Sequence, residues 1–140
     1  MKLLLDTNVL SEVTKPRPES RVLAWLDEID EDRSFISVVS LAEIRRGVAL
    51  MDSGRRRDAL ADWLTNDLPQ RFEHRVLAVD EAVAFAWGEL MADAKRRGRG
   101  MSSMDGLIAA TAMAHGLTLA TRNIKDFTGC GVELIDPWAV

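Results

Sequence analysis

The sequence predicts an α/β fold in three layers, a parallel sheet covered by helices on both faces. Three observations carry that prediction. Short apolar runs alternate with stretches of helical periodicity along the whole chain. The first run, Leu3-Leu4-Leu5, is uninterrupted by polar residues, as a strand buried on both faces allows. Turn and capping residues separate the runs, and no repeat, low-complexity tract or linker divides them. With 140 residues, 47% hydrophobic and 29% charged, the composition suits one globular domain over residues 1–140, with a single sizeable core.

The elements follow in order. Leu3 to Leu5 form strand 1, and a short helix is expected over Val9 to Val13. Lys15-Pro16-Arg17-Pro18 stops it, because each proline pushes its predecessor out of the helical region. Val22, Trp25, Leu26 and Ile29 make the apolar stripe of an amphipathic helix. Ser34 to Val39, rich in aromatic and β-branched residues, reads as strand 2. Ser40-Leu41-Ala42-Glu43 opens a helix with Leu41, Ile44, Val48 and Met51 inward. A further helix over Arg56 to Leu68 buries Leu60, Trp63 and Leu64, and Pro69 closes it.

Arg75 to Val79 is strand 3. Asp80 caps a long helix with Val83, Trp87, Leu90, Met91 and Ala94 on one face, broken by Gly98-Arg99-Gly100. Ser102 or Ser103 caps the next, which buries Ile108, Ala109, Ala112 and Met113 and ends at Gly116. Leu117 to Ala120 is strand 4 and Val132 to Ile135 strand 5.

Several classes are disfavoured. Asp6 ends the N-terminal apolar run too early for a signal peptide, and no segment reaches the roughly 18 apolar residues of a membrane helix. The lone Cys130 has neither a disulfide partner nor companions for a zinc site, which suggests a reducing cytoplasm. The net charge of −4 argues against a protein that coats nucleic acid. If four of the 22 acids serve a site, however, the other 18 balance the 18 Lys and Arg. His74 and His115 stand alone, without an acid or nucleophile at catalytic spacing, and read as surface or helix-end residues. No glycine-rich phosphate loop is present.

The acids are more informative. In a parallel sheet, strand exits and the starts of covering helices share one rim, where ligands bind in open α/β folds. Asp6 follows strand 1, Glu43 lies in the first turn after strand 2, Asp105 opens the helix before strand 4, and Asn123 and Asp126 follow strand 4. Crowded carboxylates repel, and a hard divalent cation with oxygen ligands neutralises them. Such an ion lowers the pKa of a bound water and offsets phosphoryl charge, which suits hydrolysis of a phosphodiester. Each acid also has a local explanation. Ser40-x-x-Glu43 and Ser102-x-x-Asp105 fit capping boxes, Asp6 and Asp80 fit N-caps, and Asp126 fits a solvated loop. Arg45, Arg46 and Arg122, close in sequence to these acids, are candidates for phosphate contact. Arg46 also sits where it can pair with Glu43. Arg55-Arg56-Arg57 and Lys95-Arg96-Arg97-Gly98-Arg99 are basic runs that fit either solvated faces or a nucleic-acid groove.

Four segments carry a resemblance: Leu5-Asp6-Thr7-Asn8-Val9-Leu10-Ser11, Ser37-Val38-Val39-Ser40-Leu41-Ala42-Glu43-Ile44, Asp105-Gly106-Leu107-Ile108-Ala109-Ala110-Thr111-Ala112 and Ala120-Thr121-Arg122-Asn123-Ile124-Lys125-Asp126-Phe127. With the ending Asp136-Pro137-Trp138, the chain resembles PIN-domain ribonucleases of the VapC and FitB type, toxins of type II toxin–antitoxin pairs. The resemblance implies a five-stranded parallel sheet in the order 3-2-1-4-5 and a Mg²⁺- or Mn²⁺-dependent endoribonuclease. It casts Asp6 and Asp105 as metal ligands, with Glu43 holding the ion directly or through water. Asn123 stands where many relatives carry Asp, and Asp126 is placed to supply the fourth charge. Thr7 and Asn8 are expected to orient Asp6 and water, and Thr121 to line the site. A homodimer and a small antitoxin whose C-terminal segment enters the active-site groove are implied as partners. Two other readings remain: a phospho-acceptor using Asp6, although Asn8 stands where such enzymes commonly carry a second acid, and a non-catalytic module that binds RNA or protein.

Overall fold

The computed structural model describes residues 1–140. Strand β1 (Leu3–Leu5) pairs in parallel with β2 (Ser34–Ser37) on one side and β4 (Thr118–Ala120) on the other. The edges are β3 (Val76–Leu77) and β5 (Leu134–Ile135), giving the expected order β3-β2-β1-β4-β5 with β1 central. The three leucines of β1, consecutive in sequence, alternate in space as strand geometry requires. Leu3 and Leu5 join Val9, Trp25, Ile44 and Leu64 in one core. Leu4 joins Leu90, Ile108, Ala112 and Phe127 in the other. Burying a leucine fully contributes roughly 1.5–3 kcal/mol, so β1 ties both layers to the sheet.

On the first face lie α1 (Thr7–Glu12), α2 (Ser20–Glu28), α3 (Val38–Leu50), α4 (Arg55–Asp62) and α5 (Leu68–Arg71). On the second lie α6 (Glu81–Arg96), α7 (Ser103–His115) and the short α8 (Ile124–Phe127). The α6–α7 pair packs very closely at Gly106. A Cβ there would sit 2.6 Å from Met91 Sδ and 3.0 Å from Trp87 Nε1. The Trp87 indole N–H in turn donates to the Ser103 carbonyl at 3.2 Å. The first turn of α7, which carries Asp105, is thereby fixed against α6. No helix is long and apolar enough to cross a membrane.

Several expectations change. The first helix begins at Thr7 rather than Val9, because the Asp6 carboxylate accepts the Thr7 N–H at 2.7 Å and caps it. Strand β2 ends at Ser37, whose hydroxyl caps α3 by accepting the Val39 N–H. Val38 and Val39 are therefore helical, and Glu43 falls in the second turn of α3 instead of the first. The proposed Ser40–Glu43 capping box does not form. Pro69 does not close its helix either. A π-helical turn over Trp63–Asp67, in which the Leu68 N–H reaches back to the Trp63 carbonyl, leads into α5 with Pro69 near its start. Proline is tolerated there because its missing N–H lies in a helix's first turn. Met113, expected inward, is 42% exposed near the end of α7. Asp80, Ser102 and Gly116 act as the caps the sequence indicates.

Candidate metal centre at the carboxyl rim of the sheet

Asp6 sits where β1 leaves the sheet. Its N–H donates to the Ala120 carbonyl at 2.9 Å, carrying the β1–β4 ladder one step further and setting Asp6 beside Thr121. Thr121 is fully buried, and its hydroxyl donates to Asp6 Oδ2 at 2.8 Å. That single hydrogen is then spent, so Thr121 Oγ1 acts as acceptor for Asn8 Nδ2 at 3.3 Å and for the Asn123 N–H at 3.0 Å. Asn8 Nδ2 also approaches Asp6 Oδ2 at 3.4 Å, and Asn8 Oδ1 accepts the Arg122 N–H at 3.2 Å. Asn8, Thr121 and Asp6 thus form one network across the β1 and β4 exits.

A second network links β1 to α3. The Thr7 hydroxyl lies 2.7 Å from Glu43 Oε1 and 2.9 Å from the fully buried Ser40 Oγ. Thr7 has one hydroxyl hydrogen, so charge favours donation to Glu43, with Ser40 donating to Thr7. Thr7 therefore holds Asp6 only through its backbone N–H and directs its side chain to Glu43. Asp105 occupies the first turn of α7, where its N–H donates to the capping Ser102 hydroxyl at 3.1 Å. Capping and site formation coincide there.

These acids share one electrostatic field. Burial pushes the Asp6 carboxyl up from 3.8 to about 6, against the lowering hydrogen bonds from Thr121 and Thr7, with Glu43 and Asp105 adding repulsion. Asp105 is raised too, first by burial and then by the charges of Asp126 and Glu43. Asp6 thus feels the charges of Glu43 and Asp105, and Asp105 those of Asp126 and Glu43. Asn123 begins α8 with its side chain making no cap, and Asp126 follows in that exposed helix. No three acid, histidine or cysteine side chains converge on one coordinating point. The donors nevertheless fit a hard divalent ion in kind and charge: they are carboxylate oxygens, one deeply buried, and Asp6 and Asp105 are raised in part by neighbouring acids.

The arginines differ from one another. Arg45 and Arg46 are exposed on α3, and Arg46 makes no ion pair with Glu43. Arg122 lies over the Trp138 ring, 5.1 Å from its centroid. His74 is exposed with positive φ, and His115 is an exposed helix-end residue, as expected. Away from the acids, an apolar cleft of about 300 Å³ runs between Val9 and Val13 of α1, Leu26 of α2, Trp63 and Phe72.

The family description "PIN domain" matches residues 3–128, nearly the whole chain. The chain belongs to the PIN-domain family. Among PIN relatives, Toxin FitB of Neisseria gonorrhoeae is 40% identical over 136 residues, covering 97% of this chain and 98% of that protein. VapC ribonuclease Y4jK of Sinorhizobium fredii is 39% identical over 136 residues, covering 97% of each. The crystal structure of FitAcB from N. gonorrhoeae superimposes with a TM-score of 0.93 at 39% identity and covers 99% of both chains.

Two residues of this PIN domain escaped the sequence reading. Ser40 looked like a cap and is instead the buried end of the Thr7–Glu43 chain. The only signal is its place three residues beyond the end of β2. Glu12 is 4% exposed, held by Lys15 Nζ at 2.8 Å and by the Glu19 N–H at 2.8 Å. Lys15 chiefly, then Glu19, keeps its carboxyl below the usual range.

Proposed function

We propose that this PIN domain is a divalent-metal-dependent endoribonuclease, the toxin of a toxin–antitoxin pair. The observation that carries the reading is Asp6, buried at the sheet centre with Glu43 and Asp105 in its field, in a chain so close to proteins named toxin and ribonuclease. Asp6 and Asp105 would hold Mg²⁺ or Mn²⁺, with Glu43 joining them directly or through water. A divalent ion there supplies an acidified water and charge compensation at a phosphoryl oxygen.

The chain's own residues do the rest. Thr121 and Asn8 fix the direction of Asp6, and Thr7 with Ser40 aims Glu43. Asp126, whose charge reaches Asp105, is the better fourth acid, and Asn123 contributes an uncharged amide beside it. The α7 N-terminus opens on the same rim and favours a phosphate. Arg45, Arg46 and Arg122 offset repulsion between the acids and an RNA backbone.

The partner is a small antitoxin, as the FitAcB likeness supports. The apolar cleft between α1 and α2 suits the greasy face of an antitoxin segment whose C-terminus reaches the acids. A cytoplasmic home and a homodimer, enlarged by antitoxin, complete the reading. Purified protein with Mg²⁺ or Mn²⁺ is expected to cut RNA to 5′-phosphate and 3′-hydroxyl ends, and EDTA to stop it. Asp6→Asn and Asp105→Asn should reduce cutting to background. Parent-like cleavage by either variant contradicts the assignment of the site.

A further inference from the structure

The C-terminal Asp136-Pro137-Trp138 is docked rather than loose. Pro137 is buried, the Trp138 N–H donates to Asp136 Oδ1 at 2.9 Å, and the Trp138 carbonyl accepts from Arg21 Nη1 at 3.0 Å. The half-buried indole packs on the core of the first face, and the Arg122 guanidinium lies over its ring, 5.1 Å from the centroid. The backbone of Arg122 is tied to Asn8, one residue beyond the Thr121 that grips Asp6. No ion pair holds its guanidinium, and the residue is exposed. A planar cation thus lies over an aromatic ring one residue beyond Thr121, and its charge acts on Glu12 at the far end of α1 rather than on Asp6 or Asp105. Guanidinium planes stack on nucleobases as they do on indole, whereas an ammonium offers only point charge.

We propose that Arg122, lying over the Trp138 ring, is a stacking shelf for an unpaired base of the RNA strand at the rim of the metal centre. The shelf rests on the ribonuclease reading for its ligand, but it acts in binding and is separable from cleavage. A base stacked there would fix the strand beside the β4 exit, next to the Thr121 that holds Asp6. Arg45 and Arg46 lack an aromatic backing and contribute charge alone.

The test measures binding in EDTA, where no strand is cut, by anisotropy of a fluorescein-labelled single-stranded RNA of about twelve nucleotides. A second probe has the same backbone with every base removed. The parent is expected to bind the base-containing strand about tenfold or more tightly than the abasic one. Arg122→Lys, which keeps the charge, and Trp138→Leu, which keeps apolar packing, are each expected to lose most of that preference. Their affinity for the abasic strand should stay near the parent's, and the double variant should be no worse than either single one. A thermal melt checks that Trp138→Leu is folded, and Arg122→Lys carries the test if it is not. Parent-like base preference in Arg122→Lys overturns the shelf and leaves charge alone. Equal parent affinity for both strands, or no RNA binding, overturns it as well. Loss of cleavage with metal in the parent would instead strike the ribonuclease reading.

Discussion

Two carboxylates at opposite ends of α1, Asp6 and Glu12, are each 4% exposed, yet their chemistry diverges. Glu12 has a cation and a backbone N–H at 2.8 Å, and its ionised form is favoured. Asp6 has hydroxyl, amide and backbone donors but no cation, faces two further acids, and is pushed up to about 6. Burial alone therefore does not mark the functional acid. Glu12 is a finished interaction that folds the segment between α1 and α2 over itself. Asp6 is an unfinished one, and in the proposed function its complement is an external cation.

The contrast is broken most strongly at the group that holds Asp6 in place. Thr121→Ala removes the 2.8 Å hydrogen bond to Oδ2 and should cost roughly 10–100-fold in metal affinity and cleavage, as loss of a ligand's hydrogen-bonding partner typically does. Thr121→Ser should retain most of both. Metal titration and initial rates on the same preparations check this.

Next comes stability against pH in EDTA. The folded pKa of Asp6 lies above its ordinary 3.8, so its favourable contribution is full below that value and is lost as pH rises through about 6. Asp6→Asn should gain on the parent over that window, approaching about 3 kcal/mol near neutrality for a shift of roughly two pH units. Glu12 carries the opposite sign. Its folded pKa is depressed, so Glu12→Gln should lose stability at neutral pH and match the parent increasingly as pH falls below the usual glutamate value. Urea unfolding of both variants across this range reads the two curves directly.

The smallest effect is expected at Asp126. It is exposed on α8 and acts on Asp105 through charge, so Asp126→Asn should weaken metal binding only a few-fold, a difference that falls as salt screens it. Calorimetric titration at low and high salt measures both.

Much of this arrangement is legible in the residues. Leu3-Leu4-Leu5 running into Asp6, the cap at Ser102 and the stop at Gly116 place the strand exit and the helix that carry two of the acids. The strand order came with the family resemblance, since local patterning does not say which strands are neighbours. Glu43 lies one turn later than its sequence indicates because Ser37 and Ser40 are equally good caps, and Val38-Val39 favours a strand until tertiary packing draws it into α3. Pro69 misled because a π-helical turn absorbs it. Glu12 was silent because its burial depends on Lys15 and Glu19 folding back over α1, a long-range outcome in a short-range pattern. The Thr7 hydroxyl serves Glu43 rather than Asp6, a matter of side-chain direction that sequence does not carry.

The central claim is that an external divalent cation completes Asp6 and its neighbouring acids. Its most direct test is the melting temperature of the parent titrated with Mn²⁺, at a pH below and a pH above the Asp6 pKa. A saturable rise is expected, larger at the higher pH, where the ion meets the ionised carboxylate, and absent in Asp6→Asn and Asp105→Asn. An equal rise in those variants, or none in the parent, would contradict the account.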